Sequence, residues 1–200
     1  MSLTSSNFIA NYFSDESHFG QLYPLPIQQL DKKHWSPLTV IKQAIQFLAD
    51  KPNEKILDIG SGTGKFCLAG AYYKPAVSFF GVEQREDLVD QAERVRKLLG
   101  LQNVYFKHHN FTQLNLKQYD HFYFYNSFFE NLAGTDKIDN KIAYSKELYN
   151  YYSHYLYKQL EDMPVGTRVV TYCSWDDEIP PGYQLIEAQL DNLLKFWMKI

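Results

Sequence analysis

The segment Lys55-Ile56-Leu57-Asp58-Ile59-Gly60-Ser61-Gly62-Thr63-Gly64-Lys65-Phe66 runs from apolar residues around one acid into three alternate glycines. The apolar residues suit a buried strand, and the glycines let the following turn take backbone angles closed to other residues and bring its amides close to a ligand. About twenty residues on, Val77-Ser78-Phe79-Phe80-Gly81-Val82-Glu83 reads as a second strand ending in a second acid, where a βαβ nucleotide site holds ribose hydroxyls. Spacing separates the Gly-rich loops that could stand here. A dinucleotide fingerprint starting at Gly60 needs glycine at 65, which is Lys65. A Walker loop needs Ser or Thr after Gly-Lys and a glycine five residues before that Gly, and the chain has Phe66 and Ile59.

What remains, Asp-x-Gly-x-Gly-x-Gly with Gly81-Val82-Glu83 downstream, resembles the class I S-adenosylmethionine-dependent methyltransferases, from about Ser36 to the C-terminus. The resemblance implies S-adenosyl-L-methionine as cofactor. Asp58, Gly60, Ser61, Gly62 and Gly64 would pack under its methionine part, Glu83 would take both ribose hydroxyls, and Gln84, Arg85, Asn110 and Phe111 would flank the adenine. Where family members often carry an acid at the end of the third strand, this chain has Asn110, whose carbonyl can accept the same bond without charge.

Open α/β sheets bind ligands beyond the carboxyl ends of their strands, where strand order reverses, so the reacting group is expected at the end of the fourth strand. That end reads Tyr125-Asn126-Ser127-Phe128-Phe129-Glu130. It resembles the Asn-Pro-Pro-aromatic motif of amino-group methyltransferases, with Ser127 and Phe128 in place of both prolines, and the Asn-rich, Phe-flanked strand end of the non-SET histone lysine methyltransferases. Asn126 would orient an amino group through its side-chain carbonyl, with Phe128 or Phe129 beside the activated methyl; as a common turn residue it could equally just end the strand. Asp120, Glu130, His121 or a water are the candidate bases. In-line transfer from a sulfonium asks little covalent chemistry of the protein, and positioning alone can contribute ~7 to 11 kcal/mol. No metal is expected: His108 and His109 are strand neighbours that point to opposite faces and have no acid or Cys cluster beside them.

Two hundred residues suit one domain with a full core, fed by sixteen tyrosines and fourteen phenylalanines. A net charge of -3, with no basic run longer than Lys32-Lys33, disfavours nucleic acid as a partner and leaves a small molecule or a protein side chain as the expected acceptor, with oligomeric state open. Cys67 and Cys173 form neither a CxxC pair nor a cluster with histidine, which fits a reducing cytoplasm. Apolar stretches fall far short of the ~18 residues of a membrane span, and the polar start lacks the marks of a signal peptide, so a soluble protein that is not exported is expected.

These residues need a scaffold of alternating strands and helices. Residues 1–35 are aromatic and irregular, broken at Tyr23-Pro24 and Leu25-Pro26, and read as a cap across the ligand edge, closing at Trp35; 36–200 read as a single domain. Ser36-Pro37 predicts an N-cap and first helical residue, Lys65 to Tyr73 and Glu86 to Leu99 two crossover helices stopped at Gly100, and Thr135 to Asp162 one or two more. Further strands are read at Val104 to His109, His121 to Asn126, Arg168 to Cys173, Tyr183 to Gln189 and Leu193 to Lys199. Among the tyrosines from Tyr144 to Tyr157, Tyr152 and Tyr155 fall at helical core spacing with Leu148 and Leu156. The predicted fold is a doubly wound, mostly parallel seven-stranded sheet with helices on both faces and an antiparallel C-terminal edge strand. The predicted function is methyl transfer from S-adenosylmethionine to a nitrogen or oxygen nucleophile. The alternative is a non-catalytic module that binds the cofactor and presents a partner-binding surface.

Overall fold

The computed structural model describes residues 9–30 and 34–200, so the polar start of the chain and the Lys32-Lys33 pair lie outside the described residues. The strands are β1 (Lys55–Ile59), β2 (Ser78–Glu83), β3 (Val104–His108), β4 (His121–Tyr125), β5 (Arg168–Tyr172), β6 (Tyr183–Gln189) and β7 (Leu194–Lys199). They form one sheet in the order β3-β2-β1-β4-β5-β7-β6. The first five strands pair in parallel, while β7 pairs antiparallel with both β5 and β6. Strand order reverses between β1 and β4, which brings the carboxyl ends of those two strands side by side.

Alternation along each strand sorts the side chains into two layers. Ile56, Phe79 and Tyr123 face a layer built on α1 (Leu38–Leu48), α2 (Lys65–Tyr73) and α3 (Glu86–Leu99). Leu57, Ile59, Val82, Phe122 and Phe124 face the other layer, closed by α4 (Lys146–Glu161) through Tyr152, Leu156 and Leu160. Each such side chain removed wholly from water contributes ~1.5 to 3 kcal/mol, so burial on both faces holds the sheet in place.

α2 and α3 span the predicted residues, and α3 stops at Gly100 in a left-handed cap. The stretch Thr135 to Asp162, read as one or two helices, holds one, which starts at Lys146, where Ser145 accepts from Leu148 N. Two expectations need correction. α1 starts at Leu38 with Pro37 as its cap, because the Ser36 hydroxyl is taken by Tyr123 Oη at 2.6 Å. β3, β4 and β5 each end one residue early: Asn126 and Cys173 turn out at φ 47 and 54, and His109 N donates to Glu83 O beyond the end of β3. The β6–β7 hairpin turns through Leu190, Asp191 and Asn192, all at positive φ.

Residues 9–30 lie against the α1–α2 layer. Phe13, Phe19, Leu22 and Tyr23 are buried there, Phe13 stacks on Tyr72, and Trp35 packs against Tyr23 and Phe19. Tyr23 Oη donates to Thr63 O at 2.9 Å, and the buried Lys65 pairs with Glu16, so this segment grips the Gly turn directly.

Candidate active site

The turn after β1 is open at its centre. Gly60, Gly62 and Gly64 have φ of 77, 52 and 84. A Cβ on Gly60 would lie 2.6 Å from Ser127 Cβ, so that position must stay bare for β1 and β4 to close up. A Cβ on Gly62 would meet nothing within 4 Å, and Gly62 lines a cavity of about 320 Å³ together with Gly60, Glu83, Arg85, Asn126 and Phe129. Around this turn Ser61 Oγ and Thr63 Oγ1 are buried without a hydrogen-bond partner. Neither hydroxyl lines the cavity, and Ser61 Oγ lies against Gly81, so it is the bare backbone and open space at Gly62 that fit a ligand seated on the turn.

Asp58 is buried beneath the turn, and burial, reinforced by the charge of Glu83, pushes its pKa up to about 8, against a weak opposing bond from Cys67 Sγ. Glu83 is also held up by burial. Its Oε1 accepts from Gln84 N, Arg85 N and Arg85 Nη1 at 2.9, 3.0 and 3.3 Å, while Oε2 accepts, among the described residues, from Gly62 N alone, at 3.2 Å. Oε2 therefore keeps accepting capacity, in a residue that lines the cavity.

A narrow cleft of about 40 Å³ adjoins the cavity and shares Gly60, Glu83, Arg85, Ser127 and Glu130 with it; Gln84, Phe111 and Phe128 complete its apolar and polar walls. Phe111 and Phe128, both buried, stack on each other at 5.1 Å. Asn110, expected to meet an adenine amino group, is engaged within the protein. Its carbonyl accepts from Thr112 N and Oγ1 at 3.0 and 2.9 Å, and its amide donates to Tyr152 Oη at 2.8 Å and Gln84 Oε1 at 3.0 Å. It caps the turn that carries Phe111.

At the end of β4, Asn126 lines the cavity with its Oδ1 buried and lacking a hydrogen-bond partner. An orphaned buried acceptor costs ~1 to 3 kcal/mol unless a ligand satisfies it. Phe128, expected beside the reacting methyl, is instead a core residue packed on Phe111, Phe124 and Tyr152, because Ser127 turns the chain inward by donating to Ile59 O. The ring that lines the cavity is Phe129. Of the candidate bases, Glu130 lines the cavity, whereas His121 and Asp120 sit at the opposite end of β4 on Glu54 and Lys55 N.

Arg85 is the residue whose reach sequence reading missed. Buried, it donates to Glu83, to Glu130 Oε2 at 2.6 Å, to Asp139 Oδ1 at 3.3 Å and to Tyr144 Oη at 2.7 Å. It thus ties the acid at the end of β2 to the irregular connection between β4 and α4. Burial opposes its charge, but Glu130 and Glu83 outweigh that and raise its pKa further. Glu130 and Asp139 on this guanidinium hold the connection over the cleft, where its one regular piece before α4 is a 3-10 turn at Phe129–Asn131. Among the described residues no group of His, Cys, Asp and Glu is arranged to hold a metal, and no helix is long and apolar enough to cross a membrane.

A family model described as a methyltransferase domain matches residues 50–159. The chain belongs to the methyltransferase domain family. That domain has the Rossmann-like fold, and the cofactor of the family is S-adenosylmethionine. When bound, S-adenosyl-L-methionine supplies a methyl on a positively charged sulfur, already activated for transfer. The chain is similar to a tRNA (guanine-N(7)-)-methyltransferase of Synechococcus sp. (strain JA-3-3Ab), 52% identical over 50 residues, which are 25% of this chain and 21% of that one. It is also similar to the 23S rRNA (uracil(1939)-C(5))-methyltransferase RlmD of Shewanella sediminis, 40% identical over 70 residues, 35% of this chain and 15% of that one. The chain thus spans about a fifth or less of these two relatives' length. Among solved structures, an RNA methyltransferase from Salinibacter ruber in complex with S-adenosyl-L-homocysteine has the same fold, with TM-score 0.56 and 17% identity over 83% of this chain and 93% of that one. An O-methyltransferase from Thermotoga maritima has TM-score 0.58 and 16% identity over 88% and 72%.

The expectation drawn from composition against nucleic acid is overturned by these relatives, which are tRNA and rRNA methyltransferases by name. Net charge speaks to binding along a phosphate backbone. It says little about a base received in one cavity, where contacts to the ring carry recognition.

Proposed function

We propose that this methyltransferase transfers its methyl group to a nitrogen of a nucleobase in RNA. The observation that carries the reading is Asn126, which lines the cavity from a left-handed backbone turn and whose Oδ1 is buried without a partner among the described residues. A carbonyl there accepts from a base N–H and turns a neighbouring nitrogen lone pair toward the methyl. The names of both relatives support an RNA base as the acceptor, and the guanine-N(7) name supports a nitrogen on it. Transfer to a neutral nitrogen moves positive charge from sulfur to the acceptor, and carboxylates in the same wall, Glu130 and Asp136, stabilise that charge as it develops. Glu83 holds the ribose hydroxyls through Oε2, and Phe111 with Phe128 flanks the adenine. The segment before Ser36 acts as a cap on the Gly turn, through Tyr23 and Glu16. The reading carries a cytoplasmic location, which the free Cys67 and Cys173 suit.

Single-turnover transfer to total RNA tests it. Asn126→Ala should lower the rate ~100-fold, the cost of misplacing a reacting atom by about 1 Å, with cofactor affinity held within about twofold. An unchanged rate would return Asn126 to the role of a turn residue.

A further inference from the structure

Phe129 lines the acceptor cavity, and Trp175, in the loop after β5, stacks on its ring with centroids 6.0 Å apart and planes 29° apart. Tyr149 meets the same ring edge-on at 6.1 Å. Trp175 and Tyr149 also line a second, open concavity with Ser174, Asp176, Asp177 and Lys195. Aromatic surface therefore runs without a break from the cavity to its outside. Trp175 is 59% exposed while Trp35 and Trp197 are each 7% exposed, so core packing does not account for it.

The ledge is fixed in place and carries little free charge. Trp175 N donates to Glu178 Oε2 at 3.1 Å, and Tyr149 Oη donates to Glu178 Oε1 at 3.2 Å, which ties both rings to one buried acid. Asp176 pairs with Lys195, leaving Asp177 as the one carboxylate of this rim without an ion pair among the described residues. A docking face for a basic peptide would present several exposed, uncommitted acids; this one presents two stacked rings.

We infer that Trp175 and Phe129 form a stacking platform for an unpaired RNA base adjacent to the one received in the cavity. The inference rests on the RNA reading above and adds to it a subsite for the flanking nucleotide. Stacking of this kind tolerates any base, because each has a π-face, and it needs no basic footprint. It gives single-stranded RNA a foothold on an acidic protein.

The test uses the full chain with S-adenosylhomocysteine present, so that no turnover occurs. A labelled oligoadenylate is titrated by anisotropy, in parallel with tryptophan emission; an oligolysine peptide serves as the rival probe. Oligoadenylate should bind and quench the emission, Trp175→Ala should weaken binding about tenfold, and Trp175→Phe should restore binding while abolishing the quench. Equal binding by wild type and Trp175→Ala overturns the platform but leaves the RNA acceptor standing if methyl transfer to RNA persists. Quenching by oligolysine with no response to oligoadenylate overturns the platform and favours a basic protein partner, and a response to neither overturns it as well. Absence of methyl transfer to RNA is the separate result that removes the reading beneath it.

Discussion

In the function proposed above, cofactor recognition turns on Glu83: one of its oxygens is saturated by the backbone and Arg85, while among the described residues the other carries a single bond, from Gly62 N. Two charge-assisted bonds to ribose hydroxyls are worth ~1.5 to 3 kcal/mol each. Glu83→Ala should therefore weaken S-adenosylmethionine binding at least about tenfold in a calorimetric titration, and unchanged affinity would remove the ribose role. Asp58 makes a different prediction. Its pKa stands at about 8 against the ordinary 3.8, so folding favours the protonated form. That stabilisation is complete below the ordinary value and is lost as pH rises through about 8; Glu83, shifted the same way, adds to the loss. The melting temperature of the cofactor-free protein should fall between about pH 4 and pH 8, and Asp58→Asn, neutral throughout, should flatten the fall. A melting temperature that rises across that interval contradicts the assignment.

The connection between β4 and α4 is the element that turns a generic fold into this site. Arg85 reaches it at Glu130, Asp139 and Tyr144, so its order is set by contacts 45 to 59 residues apart in the chain. Arg85→Met would leave buried carboxylates uncompensated, at a cost of about 3 kcal/mol. Hydrogen exchange of 126–145 should then speed up well before that of β1 and β2; uniform protection would show that the tether does not hold the connection. The same contrast separates what the sequence discloses from what it hides. α2, α3 and the Gly turn are legible because apolar spacing, Gly100 and the alternate glycines act locally. The late start of α4 is not, since Tyr144 and Asp139 are drawn out of helical pairing by a distant guanidinium. Ser36 misleads for a similar reason: its hydroxyl answers Tyr123 across the core rather than the helix beside it. Asn126 is legible as a strand end beside the switch point, but which of Phe128 and Phe129 faces the cavity depends on the Ser127 bond to Ile59 O. Trp175 gives only the weak signal of a lone aromatic beside three acids in a loop.

Across the whole molecule, a net charge of -3 sets how RNA can be held. Each phosphate neutralised on a single strand contributes ~0.7 to the slope of log affinity against log salt. Binding that relies on bases in a cavity and on a ledge should give a slope no steeper than about -2 between roughly 50 and 200 mM salt. A slope beyond about -5 would mean a phosphate-tracking surface that the described residues do not form. The rigid parallel edge, the Gly turn, Glu83 and Asn126 converge on one cleft, and the account stands or falls on what leaves that cleft methylated. The most direct measurement follows a labelled methyl from S-adenosylmethionine into a cell extract separated into RNA, protein and small molecules. The account predicts label in RNA that survives digestion to nucleosides as a base N-methyl group. Label confined to protein or to small molecules, with RNA unlabelled, would contradict it.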